Sequence, residues 1–274
     1  MSRIAKGAIP SPNIWNSPRV YELENRAVDP DGAADAAIRA IRPWAGATLL
    51  DIGCGTGFHL PVYAAAAARV IGVEPHGDLA AMARRRCAPS STTSPSTALL
   101  STALLSTASP SVGSSSTTSL SAGLSSTTSA SPAPIEVYTA TAQDLPLPDS
   151  SVDVAIARWA YFFGPGCEPG LKELDRVMRR GGTAFVVDLD ATRGSFGRWF
   201  QGTVPGYDAQ AVEAFWARNN WERKPLDLRM AFSLRADLED VLRIEFTPAI
   251  AEQAITETPG LELPYPNVLR WRHF

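Results

Sequence analysis

The sequence predicts an α/β fold, a mostly parallel sheet doubly wound by helices, and three observations predict it. An apolar run meets an acidic residue and then a loop with glycine at every second position, TLLDIGCGTG over residues 48–57. A second apolar run, ARVIGVEP, ends near Glu74, about 20 residues beyond the loop, where an acid at a second strand tip is expected. Short β-rich runs then alternate with helical segments, the pattern of strands joined by crossover helices.

Upstream of the glycine loop, NIWNSPRVYELENRA mixes aromatic and charged residues and reads as irregular to helical. Asp29-Pro30-Asp31 then opens a helix over GAADAAIRAIRPW, in which Ala34, Ala37, Ile38 and Ile41 share one face. The loop itself reads as the end of a buried strand, a tight turn and the start of a helix. Gly53, Gly55 and Gly57 permit positive φ and let the backbone approach a ligand that any Cβ would exclude. Further strands are expected at residues 70–73, 135–138, 152–157 and 183–188.

Asp78 opens a helix with Leu79, Met82 and Ala83 on its core side. Leu171, Leu174, Val177 and Met178 mark the core side of a later helix, which Gly181-Gly182 is expected to stop. These apolar positions are expected in the core rather than against a ligand. Beyond Asp190, DAQAVEAFWARNNW reads as a helix, KPLDLRMAFSL as a strand, RADLEDVLRIEF with PAIAEQAI as one or two helices, and LPYPNVLRWRHF as a last strand.

Residues 89–134 interrupt the pattern. Ser and Thr dominate, charge is absent and the unit STALL recurs. Such a stretch buries too little apolar surface to offset its ordering entropy, so a disordered insertion is expected. It hangs between the helix after the second strand and the third strand, at the amino ends of the strands. Ligands of open α/β sheets bind at the carboxyl ends.

With 274 residues, 45% of them apolar and 19% charged, and a formal net charge of −3, the chain can build one sizeable core. That charge balance implies neither a nucleic-acid partner nor an anionic membrane. The one basic cluster, RRRC from Arg84, reads as a helix C-terminus where cations oppose the macrodipole. Cys54, Cys87 and Cys167 form no C-x-x-C pair, so neither a disulfide framework nor a metal site is expected, and a reducing cytoplasm fits. Without a leader-like apolar region or a stretch of about 18 apolar residues, the chain reads as a soluble, cytoplasmic protein.

Asp51, at the end of the first strand, can accept from a ligand ammonium directly or through water, and Glu74 stands where an acid grips ribose hydroxyls. The third glycine comes one residue too early for G-x-G-x-x-G, and Phe58 occupies the place of that glycine. This counts against a nicotinamide-dependent oxidoreductase, whereas the glycine loop together with Asp51 suggests a zwitterionic ligand.

Taken in order, LLDIGCGTG, VIGVEP, TAQDLPLPDSSVDVAIA and LKELDRVMRRGGTAFVVD resemble four segments of the class I S-adenosylmethionine-dependent methyltransferases. These are the first motif, the second-strand acid, the third- and fourth-strand segment, and the helix with the fifth strand, and they cover most of residues 48–188. The resemblance implies a Rossmann-like sheet of seven strands, mostly parallel, with an antiparallel hairpin of the sixth and seventh at its edge. It implies a methyltransferase domain over residues 29–274 and an N-terminal lid segment over residues 1–28, with Tyr21 near the methionine end of the cofactor. S-adenosylmethionine would be held by Asp51 and the backbone of Gly53 and Gly55 on its methionine portion and by Glu74 on its ribose. Pro75 and His76 would lie beside the adenine, Ala142 and Gln143 at the adenine edge, and Arg158 at the methyl-donor end. The family often carries an acid before the alanine of its third motif; here that residue is Thr141, and Asp144 is the available substitute.

Displacement at a sulfonium demands alignment and exclusion of water more than reactive groups, so no catalytic residue is assigned. His59 is expected as a surface or packing residue, His76 as either an adenine neighbour or exposed, and His273 in a terminus where disorder is common. Neither an Asn/Asp-Pro-Pro-aromatic turn nor a Pro-Cys nucleophile is present, which counts against methylation of nucleobases. Trp159, Tyr161, Phe162 and Phe163 favour an apolar or aromatic small-molecule acceptor, with core packing as their other reading. A cofactor-binding but catalytically inactive scaffold or regulator stays open as the alternative, and no motif speaks to the oligomeric state.

Overall fold

A computed structural model describes residues 4–88 and 132–274 of the chain. In chain order, α1 (Pro12–Asn16), α2 (Pro18–Ala27) and α3 (Ala33–Ile41) lead into β1 (Thr48–Ile52), α4 (Leu60–Ala64), β2 (Arg69–Val73) and α5 (Gly77–Cys87). After residues 89–131 come β3 (Ile135–Tyr138), β4 (Val152–Arg158), α6 (Glu168–Val177), β5 (Met178–Leu189), α7 (Gly194–Thr203) and α8 (Ala209–Arg218). The chain continues with β6 (Glu222–Ala231), α9 (Arg235–Glu245), α10 (Pro248–Glu257) and β7 (Glu262–His273).

The seven strands form one sheet in the order β3-β2-β1-β4-β5-β7-β6. The first five run parallel, and β7 lies antiparallel between β5 and β6. The order reverses between β1 and β4, and at such a switch point the loops leaving the two strands diverge to open a crevice at their carboxyl ends. The fold is the seven-stranded α/β architecture expected.

Successive strand residues point to opposite faces, so strands covered on both sides must be apolar throughout. Leu49, Val70, Val154, Ile156, Phe185 and Val187 pack on one side with Ile38 of α3, Tyr63 of α4 and Val241 of α9. Leu50, Ile52, Ile71, Val73, Ala155 and Val186 pack on the other with Leu171 and Leu174 of α6 and Phe215 and Trp216 of α8. Each fully buried Leu, Ile or Val contributes about 1.5–3 kcal/mol. Helix entries follow local chemistry. The Asp29 carboxylate accepts from the N–H groups of Ala33 (2.8 Å) and Ala34 (3.0 Å) to open α3, and Asp208 accepts from Ala211 (2.9 Å) to open α8. Proline occupies the first turn of α1, α2, α4, α6 and α10, where its missing N–H costs nothing.

Several boundaries differ from expectation. Helix α6 ends at Val177, and Met178 already pairs with Val152. Gly181-Gly182 therefore does not stop the helix. The two glycines shape an irregularity inside β5, where a Cβ on Gly182 would lie 2.9 Å from the Arg179 carbonyl oxygen. Helix α7 was not expected: Gly194, Gly197 and Gly202 depress its propensity, while Phe196 and Trp199 anchor it to the core. The expected disordered insertion lies outside the described residues over 89–131, but its last residues do not. Ala133 N–H donates to the Ala64 carbonyl (2.9 Å) and Val70 N–H to the Pro134 carbonyl (3.0 Å), so residues 132–134 are part of the sheet's support. His273 is likewise ordered, in register with Thr183, whose Oγ1 lies 2.9 Å from His273 Nδ1.

The outer strand β6 is closed in two ways. Its later half meets the chain after α2, with Val28 bridged to Met230 and Asp29 N–H donating to Arg229 O at 3.0 Å. Its earlier half presents exposed Glu222, Arg223, Lys224 and Pro225. Among the described residues no helix is long and apolar enough to cross a membrane.

Candidate active site

At the carboxyl ends of the central strands the chain surrounds a cavity of about 490 Å³. Its floor is the loop after β1. Gly53 (φ +76°) faces Ala160, whose Cβ would lie 2.4 Å from a Cβ on that glycine. Gly55 (φ +54°) faces Tyr21, whose Oη would lie 2.6 Å from one there. Only glycine supplies both the left-handed φ and the missing atom.

Asp51 and Glu74 stand buried at the tips of β1 and β2. Glu74 Oε2 accepts from Gly55 N–H (3.0 Å) and Oε1 from His76 N–H (2.8 Å). Burial pushes the Glu74 carboxyl up to about 7 despite those two donors. Burial also lifts Asp51 to about 7, with Arg158 pulling the other way and Glu74 and Asp35 adding to the rise. Arg158, at the end of β4, is committed within the protein: it is ion-paired with Asp35, and its Nε donates to Tyr63 Oη at 2.9 Å.

The N-terminal segment covers this floor. Glu22 of α2 accepts from the Thr56 hydroxyl of the glycine loop, and Arg86 of α5 pairs with Glu22 while donating to Thr56 O and Oγ1 at 3.0 Å. Farther out, Ala5 N–H donates to Pro75 O (2.9 Å) and Gln143 Nε2 to Gly7 O (3.1 Å).

Of the residues expected in the site, Tyr21, Gly53, Gly55, Glu74, Pro75, Ala142, Gln143 and Arg158 all line the cavity. Asp51 opens into a small recess of about 20 Å³ that shares Tyr21, Gly53, Asn25 and Arg158 with it. His76 does not line the cavity; its ring packs against Trp15 at 4.9 Å and Ile4 bridges its backbone. Thr141 lines the wall, whereas Asp144, the expected substitute for an acid there, is exposed and outside it. Leu79, expected only in the core, also contacts the cavity. Trp159, Tyr161 and Phe163 line it, while Phe162 is core. His59 lines it as well, and burial, then Arg158 and Arg86, hold its ring well below the usual range and therefore neutral. Trp159 (φ +47°) and Tyr161 (φ +55°) adopt left-handed backbone without being glycine, an arrangement that costs about 1–3 kcal/mol each and clusters at functional sites.

The far end of the cavity was not foreseen. Glu24, Asp188, Glu245 and Tyr265 line it with Phe196 and Phe200. Burial pushes Glu24 well above the carboxylate range, and Glu245 opposite adds to that rise. Glu245 is itself raised by burial, although Asn13 Nδ2 donates to it at 2.9 Å. Burial takes Asp188, at the tip of β5, up to about 7. Asn25, one helical turn from Tyr21, lines both the cavity and the recess with a buried, unpartnered Nδ2. Asp188 carried a legible signal, an acid closing a third central strand like Asp51 and Glu74; Glu24, Asn25 and Glu245 carried none.

A family model described as a methyltransferase domain matches residues 50–105 and 97–186, which together span half of the chain. No curated protein matches the sequence. Among solved structures, the YcgJ protein of Bacillus subtilis is similar with a TM-score of 0.52 at 14% identity, over 89% of this chain and 99% of that one. A SAM-dependent methyltransferase of Thermotoga maritima reaches 0.50 at 17% identity, over 94% and 97%. A structure concerned with conversion of a disulfide bond into a thioacetal group in echinomycin biosynthesis reaches 0.51 at 16% identity, over 92% and 84%. At these identities the likeness concerns the fold.

Proposed function

The chain belongs to the class I S-adenosylmethionine-dependent methyltransferases, and from that premise we propose that this enzyme methylates a small-molecule acceptor lodged in the far end of its cavity. The observation that carries the proposal is that one cavity is lined both by Gly53, Gly55 and Glu74 at the tips of β1 and β2 and by an aromatic and acidic group, Phe196, Phe200, Tyr265, Glu24 and Asp188.

The floor suits the cofactor on three counts. A Cβ on Gly53 or Gly55 would meet its neighbours too closely, Asn25 Nδ2 is buried without a partner, and Glu74 in the cavity and Asp51 in the adjoining recess share linings whose one Arg or Lys among the described residues, Arg158, is already paired. We assign the ribose hydroxyls to Glu74, whose oxygens keep free lone pairs after accepting one N–H each. The methionine portion falls to Asp51, Asn25 and the backbone of Gly53 and Gly55, and the adenine to Pro75, Ala142 and Gln143. Arg158 is assigned to the methyl-donor end, where its pairing with Asp35 makes it a fixed wall rather than a mobile ligand. His76 supports the site from behind, through its N–H on Glu74.

Bound there, S-adenosylmethionine supplies an electrophilic methyl group. The protein's own part is to align the acceptor and keep water out. In this reading residues 4–28 act as a lid, latched by Glu22 to Thr56 and Arg86, and Trp159, Tyr161 and Phe163 pack the acceptor's apolar body.

Calorimetric titration of the full chain with S-adenosylmethionine, S-adenosylhomocysteine and NAD tests the cofactor half. Incubation with methyl-labelled cofactor and fractionated small metabolites tests the acceptor half. Label entering protein or nucleic acid instead of a small molecule would overturn the acceptor class.

A further inference from the structure

We propose that the acceptor is a small amine, received as its ammonium ion by Glu24, Glu245 and Asp188 and enclosed by the aromatic chamber they share. This rests on the methyltransferase reading above and names the substrate class of that same cavity.

The charges around the chamber are of one sign. Glu24 comes from α2, Glu245 from the end of α9 and Asp188 from the tip of β5, and all three raise the proton affinity of one phenol, that of buried Tyr265. All three line the same cavity as Tyr265. Tyr21, also in the lining, feels Glu24 and Glu74 of the cavity and Asp51 of the adjoining recess. Among the described lining residues the one Arg or Lys is Arg158, paired with Asp35. Arg270, which faces Asp188 from β7, is paired with Glu213, and His59 is neutral. Asn13 Nδ2 is a neutral donor to Glu245.

Three carboxyl groups held in a dry hollow repel an anion and give a neutral alcohol or thiol little return for their desolvation. An ammonium ion reverses this, because it donates charge-assisted hydrogen bonds to Glu24 and Glu245, which no Arg or Lys of the described cavity lining pairs, and to Asp188, whose neighbour Arg270 is paired with Glu213. The walls suit it too. Trp159 stacks on Tyr265 with centroids 5.8 Å apart, and Phe196 lies 4.6 Å from the same ring. Aromatic faces attract a cation and shelter an apolar body.

Amine methylation also needs a place for a proton. An ammonium nitrogen has no lone pair until one N–H proton passes to a carboxylate, giving neutral amine and carboxylic acid. Burial and the charge of Glu245 raise the proton affinity of Glu24, and burial raises that of Glu245, so this pair can take such a proton. Glu24 and Glu245 hold that position without an internal cation between them.

The test uses the full-length protein saturated with S-adenosylhomocysteine at pH 7 and three matched ligand sets built on butyl, phenethyl and indolylethyl skeletons. Each skeleton carries a primary amine, an alcohol or a carboxylate, and binding is read by calorimetry. In at least one set the amine is expected to bind tenfold or more tightly than the alcohol, with no detectable binding of the carboxylate. Glu24→Gln and Glu245→Gln should each weaken the amine about tenfold to a hundredfold while S-adenosylhomocysteine affinity stays within twofold. Equal binding of amine and alcohol, preference for the carboxylate, failure of every amine to bind, or unchanged amine affinity in both variants overturns the proposal. Should a variant not fold, the ligand sets on the unmodified protein decide alone. If S-adenosylhomocysteine itself does not bind, the cofactor assignment falls and this proposal with it; if it binds and the amines show no advantage, this proposal alone falls.

Discussion

Glu74 accepts the backbone N–H of Gly55 at 3.0 Å, so the acid that closes β2 also fixes the bend that closes β1. A single carboxylate thereby couples the tip of β2 to the shape of the cavity floor.

Glu74→Ala should weaken S-adenosylmethionine binding by about 1–3 kcal/mol, the order expected for loss of charge-assisted hydrogen bonds. Glu74→Gln, which keeps one acceptor for the Gly55 N–H, should lose less. Calorimetry on the two variants checks both; equal losses would mean that the loop contact is immaterial.

Asp51 and Glu74 titrate near 7 in the folded protein, above the usual carboxylate range, because burial disfavours their charged forms. The native state therefore holds protons that the unfolded chain has released, and this contribution to stability, complete below about pH 4, is lost as pH rises through 7. The stability of ligand-free wild type relative to Asp51→Asn should fall between pH 4 and 8, measured by urea unfolding. A cationic ligand favours the ionised carboxylates, so S-adenosylmethionine should bind more tightly as pH rises through 7 and should release protons. Calorimetric enthalpies in buffers of different ionisation heat read that release directly.

Gly53→Ala should abolish measurable cofactor binding and destabilise the fold by about 2–4 kcal/mol, combining strain at positive φ with overpacking. The new methyl would lie 2.4 Å from Ala160 Cβ, and Ala160 follows Trp159, whose backbone is already left-handed. Thermal melts and titration are the measurements.

Arg158→Met should cost about 3–5 kcal/mol, because it leaves Asp35 without its partner in a dry setting and removes the cation that restrains Asp51. Arg158→Met combined with Asp35→Leu should recover much of that loss. Urea unfolding of both variants makes the comparison.

Deleting residues 89–131 and joining Ala88 to Pro132 through a short Gly-Ser linker should leave cofactor affinity within twofold. Extending the deletion to Pro134 should lower the melting temperature by several degrees, because it removes the donor on Ala133 and the acceptor on Pro134 that brace Ala64 and Val70. Differential scanning calorimetry separates the two deletions.

The central strands β1, β2 and β4 were legible because they are largely buried on both faces and read as mainly apolar runs. The floor of the site was legible for a related reason: glycines that must be glycine and acids at strand tips are local signals. Helix α7 was not, since three glycines mask an apolar stripe whose value comes from packing; Gly197 sits where a Cβ would be 2.7 Å from Ala191 O. Met178 was assigned to a helix face because its period continued that of Leu171 and Leu174, and only pairing with Val152 shows it to be strand. The acidic side of the cavity was legible only at Asp188, which closes β5; Glu24 and Glu245 reach the same cavity from two helices far apart in sequence. His76 follows Glu74 closely in sequence, and its backbone turns toward that acid while its ring packs on Trp15, a placement its position alone did not disclose.

The two closures of β6 bear on how the protein behaves in concentrated solution. Val28 and Asp29 occupy the later half of the ladder, and Pro225, flanked by charged side chains, gives an incoming strand no donor at the centre of the earlier half. A neighbouring molecule that tried to extend the sheet from this side would find its register blocked at one end and repelled at the other. Fibre-like stacking through β6 is therefore disfavoured, and conditions for crystallisation or storage need not guard against it.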